Sequence, residues 1–172
     1  KRLTALTEKL VFLSRMDEES TKLIMLDFSI SDAVLEVAQG FEAVATSQGK
    51  TLNLDIDNNL SYCGDETTIR QLVSLLIDNA MKYSDENGKI TVSLKSNGKS
   101  RIITVTNSVD KIEKGKHDEL FERFYRADSS RNSETGGHGI GLSVVKAIAN
   151  AHKGKAICYS NDENSITFKI TL

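Results

Sequence analysis

Apolar residues in this chain recur with two periods, and the switches between them outline the elements. Near the start, Leu3, Leu6, Leu10, Leu13 and Met16 fall three or four apart, as the stripe of an amphipathic helix does. The stripe is narrow and begins at or before the first residue, so it needs a partner helix, and the chain is expected to be part of something longer. After the extended apolar segment LIMLDFSIS, Ser31 is placed to cap a helix ending near Gly49. TLNLDID then alternates strictly, as a half-buried strand should, and a short strand follows at residues 60–63. Asp65 is the expected cap of a long helix over 66–84 with Ile69, Leu72, Val73, Leu76, Ala80 and Tyr83 as its core face. ENGK is a turn leading into ITVSLKSNGKSRIITVTN, two alternating strands around a second turn, NGK. From 108 to 135 the chain is polar and irregular except for LFERFY. A helix over 139–152 and two strands, KAICYS and SITFKI, close it. Strands that come mainly as hairpins, interleaved with helices, predict a mixed sheet with helices on one face: an α+β, two-layer α/β sandwich.

The 172 residues, 39% of them hydrophobic, suffice for one sizeable core. A formal charge of -2 supplies no basic field, so neither nucleic acid nor an anionic membrane surface is suggested as a partner. Cys63 and Cys158 lie far apart, without the spacing of a zinc site, and are expected to be reduced, inert core thiols, which suits a cytosolic compartment. No apolar run approaches bilayer-spanning length, so this piece is expected to be soluble.

Candidate chemistry centres on TGGHGIGLSVVKAIANAHKG, residues 135–154, where glycines run straight into a helical pattern. A P-loop needs a lysine directly after its last glycine, and Leu142 follows Gly141. The dinucleotide fingerprint needs GxGxxG after a strand; here Gly137, Gly139 and Gly141 are spaced GxGxG after a polar segment. Neither motif fits. Glycines at the mouth of a helix still permit close backbone approach, and the first-turn N–H groups favour an anion. A flexible loop that only permits a sharp turn into the helix explains this segment equally well.

Two further elements bear on the choice. On the 66–84 helix, Asn79 lies off the core stripe with Lys82 one turn later on the same side. An asparagine oxygen is a hard neutral ligand suited to Mg²⁺, and a lysine can contact the phosphates that the metal bridges. In LFERFYRADSSR, Phe121, Phe124 and Tyr125 can pin a loop, with Arg123, Arg126 and Arg131 in reach of phosphate.

Taken in order, LIDNAMKYS, LFERFYRAD and GGHGIGLSVVKAI closely resemble the N, F and G2 boxes of bacterial two-component sensor histidine kinases. The resemblance covers essentially the whole chain: residues 1–20 look like the end of the second helix of the dimerisation and phosphoacceptor domain, and 21–172 like the catalytic ATP-binding domain. It implies a Bergerat ATP-binding fold with about five strands and three helices, ATP lying between the N-box helix and a lid at about 128–137. Asn79 would then hold Mg²⁺, while Lys82, Tyr83 and Arg126 touch phosphate or ribose, and Gly137, Gly139, Gly141 and the N–H of Leu142 cradle the phosphates. Lys82 and Arg126 would carry the catalytic charge neutralisation. The resemblance also implies a homodimer, a response regulator as partner and a cytoplasmic position in a membrane sensor protein.

Three departures qualify it. Where the family's G1 box reads DxGxG, this chain has Asn107, Val109 and Lys111. The Asn107 oxygen still accepts from an adenine amine, and losing the ionic acceptor costs on the order of 1 kcal/mol. Leu75 stands where many members carry another asparagine. No residue matches the phosphoacceptor histidine; His117, His138 and His152 fall beside the F box, in the lid and at a helix end. The chain should bind ATP and supply catalytic apparatus without phosphorylating itself. A degenerate, non-enzymatic module of the same fold is the alternative.

Overall fold

The computed structural model describes residues 23–125 and 139–172, together with Thr7 and Val11 in helical conformation. The stripe residues Leu3, Leu6, Leu10, Leu13 and Met16 lie outside the described residues. Strand β1 (Leu26–Ser29) leads into helices α1 (Ile30–Gln39) and α2 (Glu42–Ser47). Strands β2 (Thr51–Ile56) and β3 (Ser61–Gly64) precede the long helix α3 (Glu66–Tyr83). The hairpin β4 (Lys89–Asn97) and β5 (Ser100–Ser108) follows, then the two-residue β6 (Gly115–Lys116) and a 3-10 turn, Asp118–Phe121. Helix α4 (Gly141–Ala151) and strands β7 (Lys155–Ser160) and β8 (Ser165–Thr171) complete the fold.

Among the described residues the main sheet runs β2-β4-β5-β8-β7-β6, with β2 parallel to β4 and every other pair antiparallel. β1 and β3 form a separate antiparallel pair. The mixed sheet is thus as expected, with α2 and β6 as short additions to three long helices and five long strands. Register follows from alternation. Leu94, Ile103 and Ile170 form one row across three strands, and Val92, Val105 and Phe168 the next, all buried against the helices. The opposite face carries Thr91, Ser93, Thr104, Thr106, Thr167 and Lys169, half-buried, with the Thr106 and Thr167 hydroxyls 3.0 Å apart. One apolar face and one polar face make a two-layer sandwich.

Helix α3 lies across this core. Ile69, Leu72, Val73, Leu76, Ile77 and Ala80 are fully buried, and Met81 nearly so, a wider stripe than the sequence suggested; Tyr83 is only half-buried. Each large buried side chain contributes about 1.5–3 kcal/mol, against about 1 kcal/mol for a helix cap, so burial holds the helix and the cap fixes where it begins. That cap is Asp65, whose Oδ1 accepts from the Thr68 N–H at 2.9 Å while Oδ2 accepts from the Ile24 N–H at 2.9 Å. The other end is fastened by Lys50, which donates from Nζ to the Met81 and Ser84 carbonyls at 2.5 and 3.1 Å. A cation there also faces the negative end of the helix dipole.

Four expectations need correction. The cap of α1 is Ser29, whose Oγ accepts from the Asp32 N–H at 3.2 Å. Ser31 is instead buried inside the helix, donating to the Asp57 carbonyl and accepting from the Leu60 N–H, and so ties α1 to the β2–β3 turn. The helix expected to run to about Gly49 ends at Gln39, and α2 restarts at Glu42. Helix α4 begins at Gly141, because Gly139 has φ of +67°, in the left-handed region. Cys158 is buried, which pushes its thiol well above the ordinary range, but Cys63 is exposed and no core thiol.

Burial pushes the Asp65 carboxyl up, but the hydrogen bonds from Thr68 and Ile24 and the nearby His152 outweigh it and leave the carboxyl below its ordinary value of 3.8. A depressed carboxyl stabilises the fold above the unfolded value and loses that contribution as pH falls through the folded one. Asp65→Ala is expected to lower the unfolding free energy by about 1–2 kcal/mol at neutral pH. The gap between variant and parent should narrow in denaturation series taken below the ordinary carboxyl value. A gap that stays constant into strong acid would contradict this role.

Candidate nucleotide site

The geometry of the site is set by how α3 and α4 lie against each other. His152, at the end of α4, is buried; its Nδ1 donates to the Ile148 carbonyl at 2.9 Å, and its Nε2 accepts from the Asp65 N–H at 3.0 Å. The start of α3 is therefore bonded to the end of α4. At the other end, a Cβ on Gly141 would lie 3.8 Å from Leu75 Cδ2. The two helices are antiparallel, and the longer α3 runs about two turns beyond the first residue of α4. Asn79, Lys82 and Tyr83 all sit on this overhang.

Leu75, Asn79 and Lys82 are spaced i, i+4, i+7 and share one side of α3. With Leu75 against Gly141, Asn79 comes one turn beyond the mouth of α4. Asn79 is half-buried, and its side-chain amide makes no hydrogen bond to another described residue. Lys82 is exposed and paired with Asp78 across one turn. Such a surface pair is worth about 0.3–0.5 kcal/mol, so a phosphate can displace it.

Helix α4 starts without a side-chain cap and without an acidic residue in its first turn. Among the described residues no side chain caps the first-turn N–H groups of α4, and the positive end of the dipole lies there. Asn79, on the overhang, sits near the negative end of α3. The gap between the helices thus offers a cation-favouring end beside an anion-favouring one, which suits a metal-bound phosphate chain.

Asn107 lies on the core-facing side of the sheet. It occupies the third cross-strand row, between Ile90 and Ile166, and is 0% exposed. Its Nδ2 donates to the Ser108 carbonyl at 3.0 Å, whereas its Oδ1 is buried without a partner. An unpaired buried acceptor costs about 1–3 kcal/mol. The atom at the position expected to meet an adenine amine is therefore an acceptor awaiting a donor, and the residues present fit the group. Beyond Asn107, the Val109 N–H donates to the Asn164 carbonyl and the Ile112 N–H to the Glu163 carbonyl, each at 2.9 Å. The segment that lacks the family's glycines is strapped to the β7–β8 turn.

Residues of the F box are held by the core and by α4. Phe121 is buried in edge-to-face contact with Phe168, ring centroids 6.0 Å apart, and Lys146 of α4 bonds Glu122 at 3.0 Å. Phe124 has φ of +62° and donates its N–H to the Gly139 carbonyl at 2.9 Å. A Cβ on Gly139 would meet the Phe124 backbone and the Tyr125 carbonyl at 3.0 Å, so the close approach of the two chain segments requires glycine there. Arg126, Gly137, His138 and the proposed lid at 128–137 lie outside the described residues. Of the candidate residues, Asn79, Lys82 and Tyr83 lie on the turns of α3 beyond its contact with Gly141, Leu142 follows Gly141 in the first turn of α4, and Asn107 lies on the core-facing side of the sheet. The structure adds Asp65, His152 and Lys50 as positioning residues, for which the sequence carries no signal beyond the aspartate cap.

This combination, a mixed sheet under three long helices with an uncapped glycine-led helix beside an asparagine-bearing one, has known counterparts. A model of the histidine kinase-, DNA gyrase B-, and HSP90-like ATPase family matches residues 64–172, and the chain belongs to that family. It is 34% identical over 163 residues to the sensor protein DltS of Streptococcus agalactiae, covering 95% of this chain and 41% of that protein. It is 30% identical over 171 residues to the signal transduction histidine-protein kinase BaeS of Escherichia coli, covering 99% of this chain and 36% of that one. The chain spans 34–42% of the lengths of such curated relatives. In structure it resembles the nucleotide-free catalytic domain of histidine kinase ThkA, with a TM-score of 0.73 and 26% identity over 86% of this chain and 94% of that one. The Acinetobacter baumannii histidine kinase AdeS gives 0.79 at 28% identity, over 99% of this chain and 77% of that one. The fold is that of histidine kinase catalytic domains, and the family is an ATP-binding one.

Lys50→Met removes the donor to two carbonyls at the end of α3, and charged donors of this kind contribute about 1.5–3 kcal/mol. Urea unfolding should show a loss of about 1–2 kcal/mol after discounting for partial exposure, and amide exchange in the last turn of α3 should quicken. Unchanged stability and exchange would remove Lys50 from the account.

Proposed function

We propose that the chain is the catalytic, ATP-binding part of a sensor histidine kinase, and that it passes the γ-phosphoryl group of ATP to a histidine in an upstream dimerisation domain. The observation that carries this reading is the α3 overhang beside the uncapped start of α4, with the unpartnered Asn107 oxygen on the adjoining sheet face. In it, Asn107 accepts from the adenine amine, and the first-turn N–H groups of α4, with Gly137 and Gly139 before them, take the phosphates. Asn79 supplies one neutral oxygen to a largely hydrated Mg²⁺, the ligand economy magnesium prefers. Bound there, the ion would neutralise charge on the phosphate chain. Lys82 gives up Asp78 for phosphate, Tyr83 lines the ribose side, and Arg126 adds a second cation from the lid segment. The chain's own contribution to catalysis is therefore positioning and charge neutralisation, since phosphoryl transfer needs little else from a protein.

In this reading residues 1–20 are the end of the second dimerisation helix and 21–172 the catalytic domain. The whole protein is a homodimer whose phosphorylated histidine passes its phosphate to an aspartate of a response regulator, and this part faces the cytoplasm below a membrane-anchored sensor. No helix among the described residues is long and apolar enough to cross a membrane. The formal charge of -2 likewise supplies no basic field to favour nucleic acid or direct membrane contact by this part.

Supplying γ-labelled ATP to the natural chain extended upstream through its phosphoacceptor helices should give an acid-labile, base-stable phosphoprotein. Residues 1–172 alone should stay unlabelled, and Lys82→Ala in the extended protein should slow labelling by at least about tenfold. An extended protein that stays unlabelled with nucleotide bound would favour the alternative, a non-enzymatic module of the same fold.

A further inference from the structure

We propose that the free edge of β2 is a docking site for an extended, basic segment of a partner protein, which pairs with the strand and seats its apolar side chains in the groove between β2 and α1. This edge takes no part in the proposed nucleotide site.

Strand β2 ends the main sheet: among the described residues it is bonded to β4 on one side and to no strand on the other. The Thr51 N–H donates to the Gly88 carbonyl and the Asp57 N–H to the Leu94 carbonyl, so the odd-numbered residues turn their backbone toward β4. Backbone direction alternates along a strand, and the N–H and C=O groups of Leu52, Leu54 and Ile56 therefore point outward. Proline, lysine or a bulge commonly blunts such an edge, and β2 has none of them. Its one charged side chain, Asp55, is held by Lys95 of β4 at 2.6 Å.

The side chains of the same three residues leave the apolar layer unfinished. Their partners in β4, Ile90, Val92 and Leu94, are 0% exposed, whereas Leu52, Leu54 and Ile56 are half-buried. Beside Leu54 and Ile56 lies a groove of about 360 Å³, bounded by Leu35 of α1 and lined also by Ser31, Asp32, Asn58 and Asn59. A strand added to β2 places every second side chain on the helix-facing side, over this groove. The edge thus supplies main-chain pairing, and the groove a seat for side chains.

Charge selects the partner. Residues 23–66 hold eight carboxylates and one lysine, Lys50. From elsewhere in the chain, Arg70 pairs with Glu36 and Glu66, and Lys95 with Asp55 and Asp57. Asp65 is engaged as the cap of α3. Asp27, Asp32 and Glu42 remain without an ion pair among the described residues, and Asp32 lines the groove itself. An acidic segment is repelled here and a basic one is drawn in.

The test uses a synthetic peptide of alternating valine and lysine, about ten residues long, with two controls. One replaces lysine by glutamate, and the other is N-methylated at every backbone amide, which keeps the charge and removes strand pairing. Binding to the 172-residue chain is read by fluorescence anisotropy and located by amide exchange. The lysine peptide should bind at least about tenfold more tightly than either control. It should slow exchange of the Leu52, Leu54 and Ile56 amides at least about tenfold and leave the Asn53 and Asp55 amides, already turned to β4, unchanged. Leu54→Pro removes the central outward donor at an edge position where proline is tolerated, and should abolish binding. Asp32→Asn alters an exposed side chain and should weaken binding at least about threefold, which keeps the test decisive should Leu54→Pro not fold. No binding of the lysine peptide at millimolar concentration, or equal binding of either control, would overturn the docking site. Protection that falls elsewhere in the chain would overturn it too. Mg-ATP affinity should be unchanged by the peptide, so failure here leaves the nucleotide site untouched.

Discussion

The bond from the Asp65 N–H to the buried His152 ring fixes the register of α3 against α4, and the nucleotide site depends on that register. With the start of the longer helix tied to the end of the shorter one, the last two turns of α3 must project past the first residue of α4. The projecting turns carry Asn79 and Lys82, and the opposing helix start has no side-chain cap among the described residues. A shift of one turn would move Asn79 by about 5.4 Å and carry the negative end of α3 away from the positive end of α4. The same node reaches the strand pair: Asp65 also accepts from Ile24, and Tyr62 of β3 packs on the His152 ring, with centroids 6.1 Å apart. Ile24, near the start of the described residues, is thus bonded to the residue that caps α3.

Asn107 is the polar residue of its core-facing row, between Ile90 and Ile166. The neighbouring row of Val92, Val105 and Phe168 is wholly apolar, and an aliphatic residue in place of Asn107 would pack better. Its buried, unpartnered oxygen is a local conflict that packing alone does not resolve. The strap over residues 109–112 complements it. Where the family's flexible glycines are missing, backbone bonds to the β7–β8 turn hold the exit from β5 in place. That turn is itself ordered by Asp162, which accepts from the Asn164 and Ser165 N–H groups and from the Ser165 hydroxyl.

Much of the fold was legible because the sheet has one wet face. Strict alternation in β4, β5 and β8 specified strands and register together, and Asp65 announced α3 through its cap. Gly141 stood out in its glycine run and Asn79 by lying off the core stripe, whereas Asn107 was found only through the resemblance to a family. What stayed hidden was long-range. Ser29 and Ser31 are equally good caps on paper, and only the bond from Ser31 to the β2–β3 turn decides between them. Lys50 and His152 act across gaps of 31 and 87 residues, beyond any local pattern. Cys63 looked like a core residue because its strand is short and belongs to the outlying β1–β3 pair rather than to the main sheet.

The account stands or falls on whether the α3 overhang and the start of α4 make a working nucleotide site. The most direct test is calorimetric titration of Mg-ATP into the 172-residue chain beside Asn79→Ala. Binding in the micromolar to sub-millimolar range, weakened by at least about tenfold in a variant that melts with the parent, is the expected result. No binding to the parent at millimolar nucleotide, or equal affinity in the two proteins, would contradict it.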